Sequence, residues 1–189
     1  MIKNRMNLKN IALIVGLITL AVSWRIINNS FQIAPNLELV TAVSVLAALM
    51  LGWRAALFVP IATMIISDII IGNSSIFIFT WGSFALIGLG AILLRKLDNK
   101  PKIQVISSVG FATASTFLFF VITNFGVWLQ GWYPATLAGL IDSYIMAIPF
   151  YRTMLIGNLI LVPSSIIIWH LIKSYQTTKI LVIDPLVRK

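Results

Sequence analysis

The chain has 189 residues, of which 59% are hydrophobic and 10% charged, with a mean hydropathy of +0.99. A water-soluble domain of this size cannot hide so much apolar surface, whereas lipid tails solvate it directly. The length leaves room for one membrane bundle and not for a soluble ATPase domain, and the absence of cysteine excludes disulfides, thiolate metal sites and cysteine nucleophiles.

The N-terminus begins like an export signal: Lys3, Arg5 and Lys9 precede an apolar run from Ile11 to Trp24, and Ala21-Val22-Ser23 has the small-x-small form of a cleavage site. Because further hydrophobic stretches follow, the run is expected to be retained as a first span over 10–27. Asn28-Asn29-Ser30 makes a polar loop, and Pro35-Asn36 signals a helix start for a second span over 37–53. Gly52-Trp53-Arg54 predicts a tight turn, followed by a third span over 55–71 that contains Pro60 and Asp68. After Gly72-Asn73-Ser74-Ser75 comes a fourth span over 76–94, then a hydrophilic loop, Arg95 to Lys102, and a charge-free fifth span over 103–129. Residues 130–152 form the longest non-spanning stretch. Thr136 to Ile148 predicts a short helix between prolines, lying at the interface or dipping in as a lid. A sixth span over 153–172, with Pro163 inside, precedes a basic tail, 173–189. The expected fold is an all-α integral membrane protein, a single six-transmembrane-helix bundle.

Sidedness follows from the basic residues. With the N-terminus in the cytoplasm, the inner side collects Lys3, Arg5, Lys9, Arg54, Arg95, Lys96, Lys100, Lys102, Lys173, Lys179, Arg188 and Lys189, which is 12 of the 14 basic residues. Only Arg25 and Arg152 fall outside. An even number of spans keeps the basic tail inside, so both termini are expected in the cytoplasm and the protein in the cytoplasmic membrane. The net charge of +9 is then a topology signal with affinity for anionic inner-leaflet lipid, and nucleic acid is not an expected partner.

The few remaining charges gather at the other end. Arg25, Glu38, Asp68, Asp142 and Arg152 come from five segments and converge on the outer face. Asp68 lies about one turn, ~6 Å, inside the end of its span, where a carboxylate requires a partner or water; Arg25 or Arg152 is within reach of that role. The ordinary reading of any one of these charges is an interfacial ion pair. Taken together they outline an outward-facing polar pocket. Ser67, Asn124 and Asn158 add polar groups at similar depth, and interhelical hydrogen bonding is their competing role. Aromatic residues concentrate at the same end. Most belong to a headgroup belt, but Trp128, Trp132 and Tyr133 stand beside the charges and offer stacking surfaces to a ring, and Tyr144 is a further candidate ligand residue. Ala12 and Gly16 form a small-xxx-small pair on the first span, suited to close helix packing or to docking another membrane subunit. No nucleotide-binding glycine loop, HExxH or GxSxG occurs, and His170 stands alone near an inner helix end, so neither catalysis nor a metal or other cofactor is expected. Asn28 and Asn73 begin N-x-S triplets on outer loops, which matter only in a eukaryotic secretory pathway.

Four blocks carry a resemblance. They are Leu51-Gly52-Trp53-Arg54 with Val59-Pro60 and Met64; Ser67-Asp68 with Gly72; Thr123-Asn124-Phe125-Gly126-Val127-Trp128; and Tyr133-Pro134, Thr136, Gly139-Leu140, Tyr144, Ile148-Pro149-Phe150, Thr153 and Gly157-Asn158. Over residues 20–160 the chain resembles a bacterial family of uncharacterised membrane proteins classed with the substrate-binding S components of energy-coupling factor (ECF) transporters. One departure is visible: an acidic residue is common in the family pattern where Asn158 stands. The resemblance implies a six-helix S-component fold that captures a vitamin-like molecule from outside and works with an ECF transmembrane subunit and ATPases, or alone. It also implies docking through a small-residue motif in the place of Ala12 and Gly16. Solitary S components for cobalamin are similar in size and layout, which makes cobalamin or a precursor a candidate ligand, although the cysteine that engages cobalt in those proteins has no counterpart here. The alternatives are a scaffold subunit of the rod-shape-determining type, with outer charges paired and no cavity; a secondary transporter, which requires a charged midplane site; and an intramembrane enzyme, for which Asp68 with Asp142 is thin support.

Overall fold

The computed structural model describes residues 7–72 and 74–183, the side chains of 177–183 excepted. Lys3, Arg5, Asn73, Arg188, Lys189 and the side chain of Lys179 therefore lie outside the described residues. Those that are described build seven helices and no strand: α1 Leu8–Phe31, α2 Val40–Leu51, α3 Trp53–Ile71, α4 Phe77–Gly90, α5 Ile92–Arg95, α6 Pro101–Leu129 and α7 Leu137–Ile183. Five stretches are long and apolar enough to cross a membrane: α1, α3, α4 continued by α5, α6 and α7. The protein is all-α, with the makeup of a multi-pass membrane protein.

Direction alternates along the chain. Arg25 of α1 meets Asp68 of α3 near the C-terminal ends of both helices, so α1 and α3 are parallel. The chain must therefore return from one end of the bundle to the other between them, and α2 makes that return. Asp68 also meets Trp81 near the start of α4, and Gly88 at the far end of α4 lies against Ala56 at the start of α3, so α3 and α4 are antiparallel. Gly126 beside Phe79 and Phe84 against Phe119 set α6 antiparallel to α4.

The expected second span, 37–53, is helical only over the 12 residues of α2. At 1.5 Å per residue this covers ~18 Å, well short of the ~30 Å hydrocarbon core. The helix is preceded by an irregular segment, residues 32–39. Nine of the α2 residues are buried, because α1, α3, α4, α5 and α7 all surround it. Irregular backbone at such depth needs partners other than lipid, and α1 supplies them. Asn28 Nδ2 donates to the carbonyls of Ala34 at 2.9 Å and Leu37 at 3.0 Å, Asn28 Oδ1 accepts from the Ala34 amide at 3.0 Å, and Trp24 Nε1 donates to Leu37 O at 2.9 Å. Asn36 takes the left-handed conformation, φ 60°, which asparagine tolerates better than most residues.

The second difference lies in 130–152. A separate short helix between prolines was expected there; instead α7 runs unbroken from Leu137 through Pro149 and Pro163. Each proline removes one hydrogen-bond donor, yet in an apolar surrounding the neighbouring backbone groups have no better partner than the helix itself. The pairing of α6 with α7 shows what Pro149 does. Gln104 meets His170 and Thr116 meets Asn158, in one antiparallel register. That register would bring Val121 opposite residue 153, but Val121 O accepts from Tyr144 Oη at 2.9 Å. The course of α7 therefore departs from a straight antiparallel path between Tyr144 and Asn158, and Pro149 falls in that interval. The residues expected to form the short helix, Thr136 to Ile148, thus make up the turn before α7 and its first turns. The expected tail is likewise helical as far as Ile183.

The end opposite Arg25 is closed by polar ties. Arg95 Nη1 donates to Ala48 O at 3.2 Å, covering the C-terminus of α2, and its side chain fills the space beside Gly52, whose φ of 92° forms the turn into α3. Gln104 Nε2 donates to Leu94 O at 2.7 Å. Asp98 accepts from Trp169 Nε1 at 2.9 Å and pairs with Lys173 at 2.5 Å. Burial alone would raise the Asp98 pKa, but the hydrogen bonds from Lys173 and Trp169 outweigh it and hold the carboxyl below its ordinary value.

Candidate functional site

Two adjoining cavities open at the Arg25 end. The first, of about 590 Å³, lies between the 32–39 segment and α3, and is lined by Arg25, Asn36, Glu38, Asp68 and Met154 among others. The second, of about 450 Å³, lies between α6 and the first turns of α7, and is lined by Asn124, Trp132, Tyr133, Phe150 and Tyr151 among others. Asn36, Thr80 and Phe119 line both. Each volume falls in the range of small-molecule sites, ~300–1,000 Å³.

The first cavity is polar. Arg25 Nη2 donates to Asp68 Oδ1 at 2.7 Å and Arg25 Nε to Ser67 Oγ at 2.7 Å. The other Asp68 oxygen accepts from Trp81 Nε1 at 2.7 Å. The requirement for an Asp68 partner is thus met by Arg25 and, in addition, by an indole. Glu38 is 7% exposed; one carboxylate oxygen accepts from the Thr41 amide at 2.8 Å and the other from Thr41 Oγ1 at 2.6 Å. It caps the first turn of α2, where the helix dipole favours negative charge. Beneath Met154, one turn further along α7, Asn158 is 1% exposed and stands beside the Glu38 carboxylate. Asn158 Nδ2 donates to Thr116 Oγ1 at 3.1 Å, while its Oδ1 has no partner among the described residues.

The second cavity is mostly apolar and aromatic. Helical spacing explains which α7 residues face it: Ser143, Met146, Ala147 and Phe150 recur at the three- and four-residue intervals of one face. Tyr144, Ile148 and Arg152 lie on another face and line a groove of about 360 Å³ behind Phe120 and Tyr151. Phe120 is the dividing wall, with Tyr144 and Tyr151 at ring distances of 5.4 and 5.0 Å.

The ten expected ligand residues therefore separate. Arg25 and Asp68 line the polar cavity, and Asn124, Trp132 and Tyr133 line the aromatic one. Asn158 sits just below the polar cavity. Trp128, Tyr144, Asp142 and Arg152 line neither. Trp128 Nε1 instead donates to Pro134 O at 3.0 Å, pinning the turn between α6 and α7. Tyr144 is tied to α6. Asp142 and Arg152 are exposed, turned away by the helical phase of α7, so the convergence of five outer charges reduces to Arg25, Glu38 and Asp68. Ala12 and Gly16 are exposed on α1, and a side chain built at Gly16 would meet nothing within 4 Å; packing inside the bundle is not their role in this chain.

Glu38 was legible as one of the five outer charges outlining a pocket, though not singled out as a ligand residue. Phe119, Thr80 and Asn36 gave less warning, since a phenylalanine or threonine inside an apolar span looks the same whether it packs against a helix or faces a void. The only advance signal was Pro35-Asn36, a helix start where a polar turn could face inward.

A family model described as a family of unknown function, DUF6580, matches residues 5–180. Neither the curated proteins nor the solved structures offer a match. The family match spans nearly the whole chain, and the protein belongs to this family.

Proposed function

We propose that the protein is a substrate-binding membrane subunit of the S-component type in a micronutrient uptake transporter, with six membrane passes and both termini in the cytoplasm. The observation that carries this reading is the pair of adjoining cavities, one charged and one aromatic, at the end that the distribution of basic residues assigns to the outside. Capture of a vitamin-like molecule from outside needs such a mouth, and the first turns of α7, set off at Pro149, are placed to cover it. The sixth pass is α2 together with the 32–39 segment.

The exposed Ala12–Gly16 face of α1 fits docking to an ECF transmembrane subunit, which with its ATPases would supply the energy that this chain has no motif to provide. Cobalamin or a precursor stays among the candidate ligands. The scaffold alternative draws support from the Arg25–Asp68 pair and is disfavoured by the cavities beside it.

The test is to purify the protein from cells grown in vitamin-rich medium and to identify co-purifying small molecules by mass spectrometry. A molecule retained by the parent protein and by Asp142→Ala, but lost from Trp132→Ala and Phe150→Ala, supports the reading. Protein that is empty from every medium, yet isolated in stable complexes with cell-wall machinery, overturns it in favour of a scaffold.

A further inference from the structure

Resting on that reading, we infer that the ligand is an organic cation: a protonated amine joined to a planar ring, with the amine in the polar cavity and the ring in the aromatic one. Two observations lead there. The polar cavity holds two carboxylates and one guanidinium, and the guanidinium is already engaged by Asp68 and Ser67. Glu38 has no basic partner among the described residues; its oxygens accept from Thr41, and the neutral Asn158 amide and Val40 N–H also face it. Beside it, the Asn158 Oδ1 is buried with no donor among the described residues. A buried acceptor without a donor is unfavourable, so the Asn158 Oδ1 calls for an N–H group that the described residues do not supply. An ammonium brings up to three N–H donors and a compensating charge. An anionic ligand would meet two carboxylates against a single arginine whose charge is already paired with Asp68.

The two cavities also set the shape. They meet at Asn36, Thr80 and Phe119, so one molecule can place its charged group beside Glu38 and its ring among Phe119, Phe150 and Tyr133. A ring there gains from aromatic contacts, and a cation close to such rings is attracted by their negative faces.

The experiment compares three probes of one skeleton on the purified full chain in lipid nanodiscs, by isothermal titration calorimetry at pH 7: tryptamine (cationic), tryptophol (neutral) and indole-3-propionate (anionic). The expected order of affinity is amine, then alcohol, then acid, with about tenfold or more between the amine and the acid. Glu38→Gln keeps an acceptor for Thr41; it is expected to weaken tryptamine about tenfold and to leave tryptophol within about twofold of the parent. The probe ranking in the parent protein does not depend on that variant folding. Acid binding as tightly as amine overturns the inference, as does the absence of binding by all three at millimolar concentration. Either result leaves uptake standing if mass spectrometry finds a neutral or anionic ring compound bound, whereas an empty protein sinks both.

Discussion

Asp68 accepts from a guanidinium and an indole while only 8% of its side chain is exposed. Removing one member of such a pair leaves the other charge buried and uncompensated, at a cost of about 3–5 kcal/mol. Arg25→Gln is therefore expected to destabilise the protein more than Arg25→Gln with Asp68→Asn together. A double-mutant cycle by thermal unfolding should give a coupling of about 1–3 kcal/mol, and additive effects would mean that the pair is not formed. Asp98 at the opposite end is a different case. Its pKa is lowered on folding, so its contribution is present above the ordinary carboxylate range and is lost as pH falls through the depressed folded value. Both partners are partly exposed, the Lys173 side chain by 44%, so the stability difference between parent and Asp98→Asn should be about 1 kcal/mol or less at pH 7. It should shrink in melts carried out below the ordinary carboxylate range and vanish once the folded-state carboxyl is itself protonated.

At the scale of elements, glycine positions decide how near the helices come. A side chain at Gly88 would run into the Ala56 carbonyl, which belongs to the backbone and cannot turn aside. Gly88→Ala is expected to cost about 1–3 kcal/mol by pushing α4 off α3, against little change for Gly82→Ala, where nothing lies within 4 Å. Pro149→Ala restores a donor to the Ile145 carbonyl and should straighten α7; spin labels at 140 and 104 would then report a changed separation, and an unchanged one would place the bend elsewhere. The apolar runs of α1, α3, α4 and α6 could be read from the sequence because lipid contact imposes long hydrophobic stretches. The shortness of α2 could not, since Leu37 and Leu39 look helical in composition, and it is Asn28 and Trp24, in another helix, that hold the Leu37 carbonyl outside the helix. The continuity of α7 was hidden by Pro149, a residue that ends helices in water more readily than in lipid. Within the site, Arg25 with Asp68 was legible because a buried acid calls for a cation. The phase of α7, which turns Asp142 and Arg152 away, depended on a helix whose bounds the prolines obscured.

For the molecule as a whole, topology is the property on which outward capture rests. The chain contains no cysteine, so single cysteines can be introduced without background. Gln32→Cys and Asp142→Cys are expected to react with a membrane-impermeant maleimide in intact cells, and Lys100→Cys only after permeabilisation. Labelling of position 32 and position 100 from the same side would contradict six passes and leave the two cavities facing the wrong compartment.

The brevity of α2 bears on how the chain is made. A helix that reaches only part of the way through a bilayer is poorly held by lipid alone, and its irregular approach exposes amide groups until Asn28 and Trp24 receive them. During biosynthesis, then, α2 can settle only after α1 and α3 are in place to wrap it. The wall of the polar cavity would be among the last parts to form, and a chain stalled before that point would be a clear substrate for membrane quality control.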